Sequence, residues 1–299
     1  MNMLNITVDP SKVPAPIFER SPGYWENVAK RFMRDPVAIG AAVVILMLLI
    51  MALFGQWIAP MDAYKTSIMT RLKPIGFEGH PLGTDELGRD MLTRLIVGAK
   101  LSLFVGLTPV IIAFIVGSVI GITAGFMGGW INSIIMRTID VFYAFPSVLL
   151  AIALSGVLGA GITNSLISLT IVFIPPIARV AESVTTQIRS RDFVEAARAS
   201  GANALTIVRV HVLGNVLGPI FVYSTSLIAV SMILASGLSF LGLGVKPPEP
   251  EWGLMLNTLR TAIYVQPWIA ALPGVMIFIT SIAFNMLSDG LRSAMEIKD

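Results

Sequence analysis

Long apolar runs and short charged segments alternate along this chain. Asp, Glu, Lys and Arg are absent from five runs, which cover residues 36–61, 101–136, 141–178, 210–245 and 261–288. A helix crosses the hydrocarbon core of a bilayer with about 20 apolar residues. The first and the last of these runs therefore each predict one membrane-spanning helix.

The three middle runs differ in length and are divided differently. Run 101–136 fits one span and an interfacial stretch. Run 141–178 is too long for one helix and is interrupted by Leu158 to Asn164 (LGAGITN), which predicts two spans joined by a tight turn. Run 210–245 holds one span near Val216 to Gly237. We therefore predict an all-α integral membrane protein with six transmembrane helices.

Composition supports this fold class. Of the 299 residues, 55% are hydrophobic and 13% are charged, whereas a soluble domain carries roughly 25% charged residues. The absence of cysteine excludes disulfide and thiol chemistry. The net charge of +3 does not indicate a nucleic-acid partner. The polar, proline-rich start lacks the short apolar core and small-residue cleavage site of a signal peptide.

Lysine and arginine indicate the orientation of the chain in the membrane. With six spans both termini lie on one side, and 13 of the 21 lysines and arginines fall on that side. The segment from Lys65 to Lys100 holds six of the other eight. This bias predicts that both termini, and the loop between the fourth and fifth spans, are cytoplasmic.

These patterns divide the chain into five parts. We predict a cytoplasmic tail with an interfacial helix (1–36), a first transmembrane helix (37–59), an extracytoplasmic loop (60–99), a transmembrane core with a cytoplasmic loop at 183–215 (100–289), and a cytoplasmic tail (290–299). The interfacial helix is predicted because apolar positions at helical spacing alternate with cations: Tyr24, Trp25, Val28 and Phe32 with Lys30, Arg31 and Arg34. A solvated linker with chance periodicity is the alternative.

A ridge of small residues runs along the second predicted span. It consists of residues four positions apart: Ala113, Gly117, Gly121, Gly125 and Gly129. In a bilayer, where packing drives helix association, such a ridge lets a second helix approach closely. The partner is either another helix of this chain or a second subunit, and the sequence leaves both open.

Small polar residues are frequent in the fifth predicted span: Ser224, Thr225, Ser226, Ser231, Ser236 and Ser239. Such side chains either line a hydrated path or donate hydrogen bonds to carbonyls of their own helix. For any one residue the second role is the more common. For the group we predict a face that lines a translocation path, with Ser224, Ser231, Met232 and Ser236 as its candidates.

The chain lacks the groups with which a transporter harnesses energy by itself. Carriers driven by protons or sodium keep ionisable residues at membrane depth, but Asp140, Glu182 and Asp289 lie at the edges of predicted spans. A G-x-x-x-x-G-K-[ST] phosphate loop is absent. His80 and His211 lack a second ligand at metal-binding spacing. We therefore predict no catalytic residue, no metal, and a partner that supplies the energy.

The segment Asp192–Asn215 (DFVEAARASGANALTIVRVHVLGN) is a polar interruption between two long apolar regions. Asp192 and Glu195 have the spacing of an N-cap and its reciprocal acid, and the alanines that follow favour a helix. Gly201 suits the left-handed end of that helix. Asn203 can cap a second helix.

In that second helix Leu205, Val208 and Val212 would share one face. Small alanine side chains would let the first helix lie deep in a groove of a partner. Two short helices at an angle, each attached to a span, would move as a rigid body when the partner pushes on them. This segment is therefore the predicted site at which the energy-supplying partner acts.

Four stretches of the sequence resemble one family of membrane proteins. EAARASGA (Glu195–Ala202), followed by His211, is similar to the EAA loop of binding-protein-dependent ABC importer permeases. The other three are HPLGTDELGRDMLTRLIVGAKLSLFVGL (His80–Leu107), SFLGLGVKPPEPEWGLML (Ser239–Leu256) and FNMLSDGLRSAMEIKD (Phe284–Asp299). Together they resemble the C-type subunit of the dipeptide/oligopeptide/nickel permeases over nearly the whole chain.

The resemblance implies a type I ABC importer permease fold and a set of partners. A paralogous permease subunit would complete a heterodimeric pore, two ABC ATPase subunits would bind ATP and Mg, and an extracytoplasmic solute-binding protein would deliver the cargo. This chain would bind no cofactor itself. It would lie as a multi-pass protein in the cytoplasmic (inner) membrane of a prokaryote, and the implied function is uptake of di- or oligopeptides.

In that family the EAA loop lies in a cleft of the ATPase and transmits its closure. The glutamate, alanines and glycine of the motif match Glu195, Ala196, Ala197 and Gly201. The residues assigned to this ATPase-coupling loop are Asp192, Phe193, Glu195, Ala196, Ala197, Ser200, Gly201, Ala202 and His211. One departure is Gly214, which stands where the family often has proline in His-x-x-Pro-Asn.

Two further questions have alternatives. The segment Gly83–Asp90 (GTDELGRD) either pins the first loop onto the second span, which we favour, or contacts the binding protein. The cargo is a peptide or, in the same machine, a nickel chelate, glutathione or a cell-wall dipeptide. A stand-alone secondary transporter or channel and an intramembrane enzyme are the other classes, and the spans lack the residues that either would need.

Overall fold

The computed structural model describes residues 23–295, and this part of the chain is almost entirely helical. Its helices are α1 (Tyr24–Phe32), α2 (Pro36–Ile58), α3 (Met91–Met127), α4 (Gly129–Tyr143), α5 (Ser147–Leu158), α6 (Ile162–Arg189), α7 (Asp192–Ala199), α8 (Ala204–Ile207), α9 (Leu213–Phe240), α10 (Trp252–Thr258) and α11 (Pro267–Met295). The portions of the predicted tails at 1–22 and 296–299, and the side chains of Tyr24 and Trp25, lie outside the described residues.

Five helical segments are long and apolar enough to cross a membrane: α2, α3, α6, α8 with α9, and α11. A sixth span results if α4 and α5 are counted together, although they are bent by 85°. The first of the two spans predicted in run 141–178 is therefore not a continuous helix. The bend precedes Pro146, because proline lacks an N–H and disfavours helical conformation in the residue before it.

The helix α3 begins at Met91, well inside the stretch that the sequence predicted as an extracytoplasmic loop. Asp90 caps it, since Asp90 Oδ2 accepts a hydrogen bond of 2.8 Å from the Thr93 N–H. The hydropathy pattern did not predict these first turns of α3, because Arg94 interrupts the apolar run. In the folded chain Arg94 is buried against polar partners, so its charge is compatible with the helix.

The helices enclose two hydrophobic cores. One is formed mainly by α3, α6 and α9, with single residues from the segment that joins α6 to α9. The other is formed mainly by α2, α3, α10 and α11. α1 packs on α11, and its Val28 side chain is buried. Because α3 and α9 contribute to both cores, they connect the two halves of the bundle.

The small-residue ridge of α3 packs against α6 of the same chain. An ideal Cβ on Gly121 would lie 2.6 Å from the Cβ of Ala181, and one on Gly125 would lie 2.9 Å from the Cβ of Thr185. A Cβ on Gly117 would likewise lie 3.0 Å from a backbone carbonyl of α6. At Gly121 and Gly125 the helices approach so closely that only glycine fits, at Gly117 the contact is tight, and the partner is intrachain.

The two ends of the predicted ridge differ. Ala113 is fully buried and continues the ridge. Gly129 does not belong to it, because an added Cβ there would meet nothing within 4 Å. Gly128 and Gly129 have φ of +66° and +53°, where the chain turns from α3 into α4. Glycine is required at this break for its left-handed conformation and not for close helix packing.

The loop between α2 and α3 holds a buried charged network, here called the loop clamp, formed by Asp85, Arg89 and Arg94. Asp85 Oδ2 lies 2.6 Å from Arg89 Nε and 3.4 Å from Arg94 Nε, and the three side chains are 2%, 4% and 2% exposed. Arg94 also donates hydrogen bonds to the carbonyls of Ala63 at 3.0 Å and Pro248 at 3.4 Å. The GTDELGRD segment thus pins its own loop onto α3 through Asp85 and Arg94, and Arg94 also holds the loop before α10.

Replacing Asp85 with alanine is expected to destabilise the folded chain by about 3–5 kcal/mol, because two buried guanidinium groups would lose the carboxylate that they share. The measurement is the melting temperature of the detergent-purified protein. Glu26→Gln is the control, since it removes an exposed ion pair with Lys30 and should leave the melting temperature unchanged. Equal shifts in both variants would contradict the clamp.

Candidate coupling site

Helix α7 lies between the C-terminal end of α6 and the N-terminal end of α8. Val194 is its one buried side chain, and it belongs to the same core as Ile207 and Val212. The other residues of α7 are exposed or, at Ala197, half-buried. α7 is therefore anchored by an apolar contact and presents most of its surface outward.

The start of α7 differs from the predicted capping box. Arg191, with φ −81° and ψ 146°, is the N-cap residue, and no side chain caps the helix. The Arg191 N–H is bonded to the Ile188 carbonyl at 3.1 Å, so the turn that ends α6 already places Arg191 before the helix. The capping-box prediction was wrong. Asp192 and Glu195 nevertheless lie exposed in the first turn, where the helix dipole favours negative charge.

The end of α7 is locked by Gly201, whose φ of +83° lies in the left-handed region that glycine adopts readily. The Ala202 N–H donates to the Ala197 carbonyl at 3.1 Å, and the Gly201 N–H donates to the Arg198 carbonyl at 3.1 Å. These are the two hydrogen bonds of a Schellman motif. The predicted left-handed glycine is present, and the motif restrains the turn out of α7.

Asn203 caps α8, since its side-chain oxygen accepts a hydrogen bond of 2.8 Å from the N–H three residues later. α8 has only four residues and continues through a π-turn, Val208–Val212, into α9. The predicted second short helix is therefore the beginning of a span. Because π-turn hydrogen bonds join residues five apart, Ile207 and Val212 are both buried, whereas Leu205, predicted for that face, is 78% exposed.

A ring contact joins the two arms of the loop. The rings of Phe193 and His211 lie 6.3 Å apart at an angle of 44°. His211 is half-buried, and its carbonyl accepts a hydrogen bond of 2.7 Å from the Asn215 side chain. Gly214 lies within α9, which passes through this position as a continuous helix. These contacts connect α7 to the start of α9.

The nine predicted coupling residues form one contiguous segment of surface. Asp192, Phe193, Glu195, Ala196, Ser200 and Gly201 are exposed, and Ala197, Ala202 and His211 are half-buried. Carboxylates, a ring and small side chains make this surface suited to docking of another protein. Among residues 23–295, no group of three His, Asp or Glu side chains is placed to hold a metal ion.

The predicted translocation-path residues lie inside the chain. The exposed fractions of Ser224, Ser231, Met232 and Ser236 are 4%, 0%, 1% and 6%. Ser224 donates to a carbonyl of its own helix at 2.8 Å, Met232 packs against Gly106 of α3, and Ser236 packs against Gly253 of α10. In this chain these four side chains are therefore buried, and their place on a translocation path stays a prediction.

The open face of α9 lies elsewhere, and the sequence analysis missed it. Tyr223, Leu227 and Val230 line a cavity of about 290 Å³ together with aromatic residues at the bend between α4 and α5. The available signal was the aromatic cluster VFYAFP (Val141–Pro146), in which Pro146 interrupts the helix. Sequence alone does not show that α9 lies opposite this cluster.

Two family comparisons cover most of the chain. Residues 117–296 match the family described as the binding-protein-dependent transport system inner membrane component. Residues 23–74 match the N-terminal TM domain of oligopeptide transport permease C. The first match includes the whole coupling site, and the second includes α1 and α2.

Individual relatives give the same assignment. The chain is 39% identical over 274 residues to the glutathione transport system permease protein GsiD of Pectobacterium atrosepticum, covering 92% of this chain and 91% of that protein. The GsiD protein of Escherichia coli O6:K15:H31 is 41% identical, with coverage of 92% and 90%. An inward-facing structure of the MetNI methionine ABC transporter matches 68% of this chain and 97% of that chain, with a TM-score of 0.55 and 19% identity, and supports the fold.

Three observations agree on one family: the exposed segment between α6 and α9, the order of the helices, and the comparisons. The described helices form the fold of an ABC importer permease, as the resemblance implied. In such a system ATP hydrolysis belongs to a separate subunit. The chain therefore belongs to the family of binding-protein-dependent transport system inner membrane components, as a multi-pass permease subunit of an ABC importer.

Proposed function

We propose that this chain forms one half of the pore of an ATP-driven importer of short peptides. A paralogous permease forms the other half, two ABC ATPase subunits bind ATP and Mg, and an extracytoplasmic solute-binding protein delivers the cargo. This chain binds no cofactor. The coupling site and both termini lie in the cytoplasm, in agreement with the distribution of lysine and arginine.

The observation that carries this proposal is the geometry of α7. Its outward surface combines Asp192, Phe193 and Glu195 with small alanines, so a groove of an ATPase subunit can receive it closely. At the same time Val194 and the Schellman motif at Gly201 attach it firmly to the spans. A helix that served only for adhesion would not need both an exposed face and a locked connection.

The mechanism follows from these connections. Closure of the two ATPase subunits on ATP draws the α7 helices of both permeases together. The movement passes through Val194 to the core, and through the Phe193–His211 contact to the π-turn that begins the fifth span. Because α8, the π-turn and α9 are continuous, this span turns with the coupling site and opens the pore toward the binding protein.

The cargo class rests on the relatives. Two of them are permeases of glutathione transport systems, and residues 23–74 match a domain of an oligopeptide permease. Glutathione is itself a tripeptide, so both names describe short peptides. We therefore propose short peptides as the cargo and glutathione as the first one to test.

Uptake into proteoliposomes tests this function. The complex is purified from its native membrane through this chain, its subunits are identified by mass spectrometry, and labelled glutathione and dipeptides are offered with the co-expressed binding protein. We expect a second permease, P-loop ATPases, and uptake that requires both ATP and the binding protein. Solute movement by this chain alone would instead identify an unpartnered carrier.

A further inference from the structure

The cavity beside the α4–α5 bend has the properties of a small ligand pocket. Its volume is about 290 Å³, and it lies between the bend, α6 and α9. Aromatic side chains form much of its wall: Phe142, Tyr143, Phe145, Phe173 and Tyr223. Ligand pockets of roughly 300–1,000 Å³ are lined mainly by apolar and aromatic side chains with a few polar groups that fix the ligand. At about 290 Å³ the cavity lies at the lower limit of this size range, and its lining has the same mixture of side chains.

An ion pair adjoins this cavity. Arg179 of α6 donates a hydrogen bond to the carboxylate of Asp140 of α4, and the two side chains are 47% and 46% exposed. The Arg179 guanidinium also lies 5.3 Å from the centre of the ring of Tyr143, which lines the cavity. The half-exposed pair therefore lies next to the cavity wall at Tyr143, outside the residues that line the cavity itself.

Helix α6 adds backbone acceptors to the same wall. Pro175 and Pro176 both line the cavity, and proline lacks the N–H that a helical residue donates to the carbonyl four positions earlier. The carbonyls of Ile171 and Val172 therefore lose their usual helical donors. Val172 is itself a lining residue, so one of these two carbonyls belongs to a residue of the cavity wall.

We propose that this cavity is a subsite for the transported peptide, in which Arg179 binds the C-terminal carboxylate of the peptide in place of Asp140. The inference rests on the proposed function and specifies the group that is recognised. Charge complementarity identifies the occupant: guanidinium groups bind carboxylates with strong hydrogen bonds, and the displaced Asp140 is available to the ammonium group of the same zwitterion. The aromatic wall holds the apolar parts of the peptide.

The exchange of partners keeps this binding weak. Asp140 is already the ion-pair partner of Arg179, so the peptide carboxylate replaces one charged partner with an equivalent one. A permeation path needs sites that a solute enters readily and leaves readily. An ion pair that opens for the solute and closes behind it meets this requirement.

The first test compares a peptide carrying a free C-terminal carboxylate with its C-terminal amide, in uptake by the whole reconstituted complex. For Arg179→Gln we expect uptake of the free acid to fall about tenfold, with uptake of the amide and ATPase stimulation by the loaded binding protein unchanged. The binding protein has its own preference between the acid and the amide. Because every variant is assayed with the same binding protein, this preference does not affect the comparison between variants. Arg137→Gln, which removes an exposed cation of α4 three residues before Asp140, is the control and should change neither uptake.

The second test removes the competing carboxylate. Asp140→Asn should tighten binding of the free acid to the purified complex, whereas Arg179→Gln should weaken it. Opposite changes in affinity for the free acid would distinguish a peptide subsite from a structural ion pair. Breaking a structural pair would change this affinity in the same direction whichever partner is replaced. Equal losses in both variants, or an unchanged acid-to-amide ratio in Arg179→Gln, would overturn the subsite. Absence of ATP-dependent uptake of either peptide by the unmodified complex would instead overturn the proposed function.

Discussion

Replacing Gly201 with valine is expected to reduce ATP-driven uptake about tenfold or more while the ATPase subunits still co-purify. At φ +83° a β-branched residue is strained by about 1–3 kcal/mol, and the Schellman bonds that lock the end of α7 would be lost. The exposed residues Asp192, Phe193 and Glu195 would remain to dock the partner. Movement of α7 would then no longer reach α8 and α9, so ATP hydrolysis and uptake would be uncoupled.

Two glycine variants control this experiment. Gly201→Asn should keep much of the activity, because asparagine tolerates the left-handed conformation better than other residues with a side chain. Gly214→Ala should be neutral, because Gly214 is helical and an added Cβ there meets nothing within 4 Å. Uptake and ATPase activity are measured on the same proteoliposomes. If Gly201→Val also released the ATPase subunits, α7 would be an adhesion site and not a lever.

Replacing Gly121 with leucine is expected to prevent accumulation of folded protein. Even a Cβ at this position would lie 2.6 Å from the Cβ of Ala181 and would also contact the backbone of α6. A backbone contact cannot be relieved by a side-chain rotation, so α3 and α6 would have to separate. Since this pair forms the centre of one hydrophobic core, we expect the loss to exceed the about 1–3 kcal/mol that is usual for an overpacked core.

The readout is the yield of monodisperse protein in fluorescence-detected size exclusion. Gly237→Ala is the matched control, because Gly237 is also helical but has nothing within 4 Å of an added Cβ. Gly121→Ala should give an intermediate yield. Normal yield of Gly121→Leu would show that α3 and α6 do not pack in this way.

The glycine ridge shows how far a sequence pattern reaches. Spacing of four residues indicated one face of a helix that a partner approaches closely, and Gly117, Gly121 and Gly125 do form such a face. The partner was not predictable, because the sequence of a helix face does not specify which neighbouring helix packs on it. The pattern also included Gly129, but glycine is required at that position because the backbone has a positive φ and not because a helix packs closely there.

The local geometry of α7 and α8 was largely predictable because its signals are local. A left-handed glycine and an asparagine cap act within a few residues, and both are present at Gly201 and Asn203. The capping box failed because the turn that ends α6 moved the N-cap to Arg191. The π-turn escaped prediction because its residues have no composition that distinguishes them from an ordinary helix, and it lets Ile207 and Val212 share one core.

The predicted path residues show a second limit of the sequence. Serines in a span indicate either hydration or close packing, and both produce the same composition. Only the positions of α3 and α10 showed that Met232 and Ser236 are buried against neighbouring helices. The charged pair of Arg179 and Asp140 is likewise a tertiary contact, since 39 residues separate its members.

The sequence by itself determined that this chain spans a membrane, and it predicted a partner that supplies the energy and a segment that this partner contacts. These properties follow from local quantities: the length of charge-free runs, the absence of an energy-coupling motif, and residues that cap and end a short helix. The tertiary structure alone decided which faces of the spans are buried, where the cavity lies, and which charges meet. These features depend on how helices that are distant in sequence pack together. Hydrophobic periodicity indicates that one face of a helix is buried, but it does not specify which helix packs on that face.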